Sequence, residues 1–257
     1  MLNFSANLSM MFQEHPFLDR FPAAAKAGFK AVEYVGPYAF PAGEITMRLR
    51  ENGLQQVLFN LPAGNWEKGE RGMACLPDRK VEFRESVKLA IDYAHELKCP
   101  RINCLAGIAP QGASKADLWN TLTDNLNFAA EALAAENITL LVEPINYFDM
   151  PGYVLNTSAD GVKAIAASGH SNIKLQYDIY HMQRMEGELA TTLTKLMPII
   201  GHIQIADNPG RHEPGTGEIN YPFIFDHLRK LKYENWIGCE YKPIGKPEDG
   251  LKWMKAL

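Results

Sequence analysis

Eight short runs of β-branched and apolar residues recur along the 257 residues of this chain, and each is followed by a stretch with helical spacing. The runs are LNFSAN (2–7), KAVEYV (30–35), QQVLFNL (55–61), RINCLAG (101–107), TLLVEPI (139–145), IKLQYDI (173–179), GHIQIAD (201–207) and WIGCEY (236–241). Between them the apolar positions shift to a helical period, as in Phe83, Val87, Ala90, Ile91, Ala94 and Leu97, or Leu118, Leu122, Leu126, Ala129 and Leu133. Ser114 with Asp117, and the TSAD of 157–160, have the Ser/Thr-x-x-acid form of a helix start, and Asn137 is a suitable stop. Strand–helix alternation demands a parallel sheet, and eight units in this length fit an α/β fold of the (β/α)8 barrel type, usually about 250 residues long. A doubly wound open sheet is the alternative. It calls for a glycine-rich phosphate turn after the first strand, and SANLSMMF is not one. No linker or shift of composition divides the chain, so residues 1–257 read as a single domain.

Composition narrows the partners. A net charge of −4 and a pI near 6.0 argue against a nucleic-acid or anionic-membrane partner. No run approaches the roughly 18 apolar residues of a membrane span. The start, MLNFSANLSMMF, lacks a basic segment followed by a long apolar run, so no secretory signal is expected. Cys75, Cys99, Cys104 and Cys239 make no CxxC pair, which reads as buried or spare thiols in a reducing cytoplasm. Oligomeric state stays open, a homo-oligomer included.

In a parallel barrel, chemistry gathers where strands end. Four polar side chains interrupt apolar runs at that point: Glu143 in LLVEP, Asp178 in LQYDIYH, Gln204 in GHIQIAD and Glu240 in GCEYKP. One such acid is usually structural. Three carboxylates at equivalent depth repel one another unless a cation or a proton lies between them. The set Glu143, Asp178, Gln204 and Glu240 offers only oxygen, which suits a hard divalent cation, Mg²⁺ or Mn²⁺, better than Zn²⁺. His181 and His202 are further candidates, His181 for contact with a substrate, although a lone histidine near a core strand is more often structural. Alternation puts His202 on the face of Gln204, and Lys242 on the face of Glu240 if the last strand runs that far.

These residues carry a resemblance. FSANLSMMF, FNLPAGNWEKGERG (59–72), EPINYFDMPGY (143–153), QYDIYHMQRMEGEL (176–189), HIQIADNPGRHEPGTGEINYP (202–222) and GCEYKP are long and unusual stretches. Through them the chain resembles, essentially end to end, the hydroxypyruvate isomerase family of the xylose-isomerase-like TIM barrel superfamily. The resemblance implies an aldose–ketose type isomerase acting on a small hydroxy-oxo acid, with two catalytic glutamates. By motif these are Glu143 of EPIN and Glu240 of GCEYKP. Related sugar isomerases and epimerases usually offer histidine where this chain has Gln204, and an amide oxygen is the weaker ligand.

Moving a carbonyl between neighbouring carbons needs a base to remove one carbon-bound proton and an acid to return another, through an enediolate. Two carboxylates flanking a small planar intermediate can share those roles. A cation would stabilise the enediolate charge, yet a carboxylate bound tightly to it is a weaker base. The substrate carboxylate needs a positive partner, and Arg211, Lys242 and Arg71 are the candidates. Arg211 leads, because its fork matches a carboxylate and glycines surround it. Residues 62–78, PAGNWEKGERGMACLPD, form a long connection that reads as a lid, with Arg71 and Lys68 closing on the ligand and Trp66 excluding water; a solvated surface loop is the plain alternative. GRHEPGTG lacks the ending of a phosphate-binding P-loop, and RMEGEL (184–189) reads as the opening of a solvated helix. Hydroxypyruvate leads the expected substrates, ahead of a four-carbon 2-oxo-tetronate. A metal-dependent abasic-site nuclease and a catalytically silent sugar-acid binder are the competing readings; the nuclease would need more histidines than 7 and a basic groove.

Overall fold

The computed structural model describes residues 2–255. All eight expected strands form, and they close on one another in chain order as a parallel barrel: β1 (Asn3–Asn7), β2 (Ala31–Tyr34), β3 (Gln55–Asn60), β4 (Arg101–Cys104), β5 (Thr139–Val142), β6 (Ile173–Asp178), β7 (Ile200–Ile205) and β8 (Trp236–Cys239). Closure runs through β1 and β8, with Ser5 opposite Gly238 and Ala6 opposite Cys239. A barrel of this kind has no free edge, so every strand can be short and still be paired on both sides.

The helices that return the chain are α1 (Arg20–Lys26), α2 (Ala42–Glu51), α3 (Lys80–Leu97), α4 (Lys115–Ala135), α5 (Ser158–Ser168), α6 (Ile179–Met185), α7 (Leu189–Leu196), α8 (Tyr221–Lys230) and α9 (Lys252–Lys255). Their starts follow the local chemistry read from the sequence. At α5, Thr157 Oγ1 accepts from Asp160 N and Asp160 Oδ2 accepts from Thr157 N, a complete capping box. At α4 only half of the box forms, Ser114 Oγ accepting from Asp117 N at 3.3 Å. Asn137 takes the left-handed conformation, φ 58°, just after α4 ends. RMEGEL does not open a helix as expected. Glu186 instead accepts from Ser158 N and Oγ, and α7 begins at Leu189.

Outward-facing strand side chains and the inner faces of the helices make the main core, in which Phe4, Phe225 and Trp253 meet edge-on or stacked at 5.0 to 5.6 Å. The barrel interior is different. Ala31, Val57, Leu58 and Leu141 form a small separate apolar cluster, while Ser5, Asn7, Glu33, Asn103, Gln176, His202 and Gln204 are buried polar side chains carried by the strands. Buried polar groups need partners, and theirs lie toward the C-terminal ends of the strands.

Candidate active site

Four side chains converge there. Glu143 just after β5, Asp178 at the end of β6, His181 in the first turn of α6 and Glu240 just after β8 each bring one donor atom to within 4.8 Å of the others. Local geometry explains each placement. Asp178 caps α6 through Oδ1, which accepts from Tyr180 N at 2.8 Å, so Oδ2 is left facing inward. One turn on, His181 Nε2 lies 3.5 Å from Asp178 Oδ2 and 3.9 Å from Glu143 Oε1. Glu143 Oε2 accepts from Asn103 Nδ2 at 2.9 Å, and Glu240 Oε1 accepts from Asn7 Nδ2 at 3.1 Å.

Arg211 supplies the counter-charge. Its Nη2 pairs with Glu240 Oε2, lies 3.5 Å from Asp178 Oδ2 and 3.4 Å from His181 Nε2. Asp207 builds the loop that carries it. The Asp207 carboxylate accepts from the backbone N–H groups of Asn208, Gly215 and Ile219, and its backbone carbonyl from Arg211 N. Arg211 itself sits at φ 56°, a conformation that costs a non-glycine residue about 1–3 kcal/mol and persists only where its surroundings impose it. Among the described residues its Nε is buried without a partner, a donor that a ligand oxygen would satisfy.

Burial and mutual repulsion set the protonation of the cluster. Burial, then the charges of Glu240 and Asp178, push Glu143 well above the ordinary carboxylate range. Burial raises Asp178 against the pull of Arg211, and burial pushes Glu240 up to about 8 despite Arg211. Burial, then Arg211 and Arg184, hold His181 well below 6.5, so its ring is neutral. The tautomer follows from its neighbour. Asn146 Oδ1 accepts from Asp149 N at 2.9 Å, so Asn146 Nδ2 faces His181 Nδ1 at 2.6 Å as a donor. With Nδ1 accepting from Asn146 at 2.6 Å, the proton lies on Nε2, facing the acids, and the 3.4 Å approach of Arg211 Nη2 to that nitrogen is a contact without a hydrogen bond.

Other sequence candidates lie elsewhere. Gln204 Oε1 accepts from Gln176 Nε2 at 2.6 Å and Gln204 Nε2 donates to Glu33 at 2.7 Å, so both ends of the amide expected to bind metal are engaged inside the barrel. His202, also beside Glu33, shares that layer at 2.8 Å. Strand β8 stops at Cys239, short of Lys242, which is exposed at the rim. The Arg71 guanidinium lies 3.8 Å over the Trp66 ring and donates to the carbonyls of Trp66 and Glu70. Lys68 is exposed on a short 3-10 turn, Trp66–Lys68, within a loop otherwise free of regular structure up to Pro77. Trp66, Arg71 and Lys242 border one cavity of about 900 Å³ whose floor holds Glu143, His181, Arg211 and Glu240. Glu33, Asn7 and Asn103 escaped the sequence reading. The signal for Glu33 was present, a carboxylate inside the apolar run AVEYV.

Three carboxylate oxygens and an imidazole nitrogen within 4.8 Å fit a divalent cation in charge and donor chemistry. Such an ion would replace Arg211 as the partner of Glu240 and Asp178, and His181 would have to give up its Nε2 proton to serve as a ligand.

The xylose isomerase-like TIM barrel family model matches residues 21–257. The hydroxypyruvate isomerase of Escherichia coli (strain K12) is 52% identical over 99% of this chain and 98% of its own length. The 2-oxo-tetronate isomerase of Cupriavidus necator is 49% identical over 99% and 98%. Among solved structures, one from Brucella melitensis named AP endonuclease, family 2, superposes with a TM-score of 0.97 at 44% identity, covering 100% of this chain and 99% of that one. A 3-keto-D-glucoside 4-epimerase from E. coli, 21% identical with a TM-score of 0.83 over the full length of both chains, shares the fold. The chain belongs to the xylose isomerase-like TIM barrel family, and within it to the group of the hydroxypyruvate and 2-oxo-tetronate isomerases.

Proposed function

We propose that this protein interconverts hydroxypyruvate and tartronate semialdehyde, with 2-oxo-tetronate as the alternative substrate, and that Glu143 and Glu240 carry the protons. The observation behind the reading is the pair of desolvated glutamates after β5 and β8, facing one site that also holds a neutral imidazole N–H and an arginine. One glutamate removes a proton from C3 of hydroxypyruvate, leaving an enediolate. The other delivers a proton to C2, while the hydroxyl proton on O3 passes to O2, and the carbonyl has moved by one carbon.

His181 serves as the neutral donor. Its Nε2–H stabilises negative charge on the enediolate oxygens without titrating, as a preorganised dipole in a site shielded from water. Arg211, with an unpartnered buried Nε, binds the substrate carboxylate; Lys242 and Arg71 at the rim attract the anion. Trp66 and the loop around it exclude water. Glu143, Asp178 and Glu240 would hold Mg²⁺ or Mn²⁺, with Gln204 joining only by releasing Gln176, and the ion would supply Lewis-acid stabilisation of the enediolate. A nuclease would need a basic groove, and this cavity is floored by acids in a chain of net charge −4.

A panel of small oxo acids, run before and after exhaustive chelation, tests the reading. Turnover of hydroxypyruvate or 2-oxo-tetronate, lost on chelation and restored by Mg²⁺ or Mn²⁺, is the expected result. Inert behaviour toward the whole panel with metal supplied would refute it. Full activity in protein shown metal-free by elemental analysis would remove the cation alone.

A further inference from the structure

Below the mouth lies a fourth carboxylate, which does not line the cavity. Glu33 on β2 is wholly buried and accepts from four side chains: Ser5 Oγ at 2.8 Å, Asn7 Nδ2 at 3.3 Å, His202 Nε2 at 2.8 Å and Gln204 Nε2 at 2.7 Å. Four donors saturate a carboxylate, and only the ionised form accepts them all. Burial alone would raise its proton affinity, but His202, Gln204 and Ser5 outweigh burial and hold it below 4.5. Gly238 makes the room: a Cβ there would stand 2.3 Å from Glu33 Oε1.

One of the four donors leads out of this layer. Asn7 Nδ2 has two hydrogens, and its second partner is Glu240 Oε1 at 3.1 Å. Asn7 Oδ1 accepts from Ser9 N at 3.0 Å, so the amide cannot turn over without losing all three bonds. The other glutamate is held differently. Asn103 donates to Glu143, but among the described residues Asn103 Oδ1 is buried with no partner.

We propose that Glu33 is a positioning residue, which fixes Asn7 as a donor and through it orients the Glu240 carboxylate, with Oε1 bonded and Oε2 presented to Arg211 and the substrate. This rests on the reading of Glu240 as a proton carrier. Misplacing a reacting group by about 1 Å can cost on the order of 10²-fold in rate, so the contribution is in turnover and not in affinity.

Steady-state kinetics on hydroxypyruvate with Mg²⁺ supplied, alongside thermal midpoints, test it in Asn7→Ala, Asn7→Asp, Glu33→Gln and Asn7→Ala with Glu33→Gln. Asn7→Ala should lower kcat about 10–100-fold with little change in KM. Asn7→Asp should be slower still, because it sets a carboxylate between two others; a residue that merely fills space would tolerate the isosteric change better than Ala. Glu33→Gln should lower kcat, and should add no further loss once Asn7 is Ala, since the path to Glu240 is already cut. Wild-type kcat in Asn7→Ala, or a Glu33→Gln loss that multiplies in full in the double variant, would overturn the assignment. Should Glu33→Gln not fold, Glu33→Asp, which keeps the buried charge but shortens its reach to Asn7, takes its place with the same expected loss of kcat and the same absence of further loss on Asn7→Ala. An active wild type with unaffected variants overturns this role alone; an inert wild type overturns the isomerase reading and this role with it.

Discussion

Glu240 has a partner for each oxygen, Asn7 on one side and Arg211 on the other, and is still pushed up to about 8 by burial. A carboxylate in that state is a poor structural ion and a good proton carrier near neutral pH. Replacing it or Glu143 with Gln keeps the shape and one acceptor oxygen but removes the proton carrier, and at Glu240 it also sets an amide N–H against Asn7 or Arg211, both donors. Each variant should lose about 10²–10⁴-fold in kcat while keeping the folded circular dichroism spectrum. A variant above about a tenth of the wild-type rate would not support the role, given that range. Arg211 faces the same test from the other side. Arg211→Met should raise KM for hydroxypyruvate and cost about 2–5 kcal/mol in kcat/KM, the range for truncating a buried charge partner. An unchanged KM would move the carboxylate anchor to Lys242 or Arg71.

Strands and helices were largely legible because their signals are local. A run such as TLLVEPI declares both its period and the acid at its end, and TSAD declares the start of α5. What the sequence hid are contacts across the barrel. Alternation says that Gln204 and His202 point inward, but not that β2 brings Glu33 to their height, so Gln204 read as a metal ligand when its amide is bonded to Gln176 and Glu33. Asn7 and Asn103 were silent for the same reason, since an amide in a strand looks ordinary until a carboxylate stands opposite. Gly238 marks this close approach at the level of the element. Gly238→Ala should destabilise the fold by about 3 kcal/mol, the upper end of the range for overpacking, because the new methyl meets a carboxylate fixed by four donors. Urea unfolding measures this, and a loss below about 1 kcal/mol would mean that β8 yields there.

For the whole molecule, the charges of the mouth tie stability to pH. Without a cation, Glu143, Asp178 and Glu240 all lie above their ordinary values, so the folded chain keeps protons that the unfolded chain releases. Their favourable share is complete below their ordinary values, 4.5 for the two glutamates and 3.8 for Asp178, and is lost as pH rises, the part of Glu240 being gone once pH passes about 8. Glu33 runs the other way: its contribution is complete above 4.5 and is lost as pH falls through its depressed value. Thermal midpoints of chelated protein should therefore fall between pH 5 and 9, less so in Glu240→Gln, and Mg²⁺ or Mn²⁺ should flatten the fall. A midpoint that does not change over this window would show that the acids ionise freely, against the burial described. The closed barrel itself followed from eight alternating units in a chain of this length. The counter-charge did not, because three acids call for a positive partner without saying whether a metal, a proton or Arg211 provides it.

Two separate glutamates make a demand that a direct hydride shift does not: the hydrogen that reaches C2 is not the one that left C3. Incubating the protein with hydroxypyruvate in D₂O, and following both carbons by NMR, tests this directly. The account predicts tartronate semialdehyde carrying deuterium at C2, and no product in Glu143→Gln or Glu240→Gln. Product that keeps the original hydrogen at C2, as in a direct hydride transfer, would contradict it.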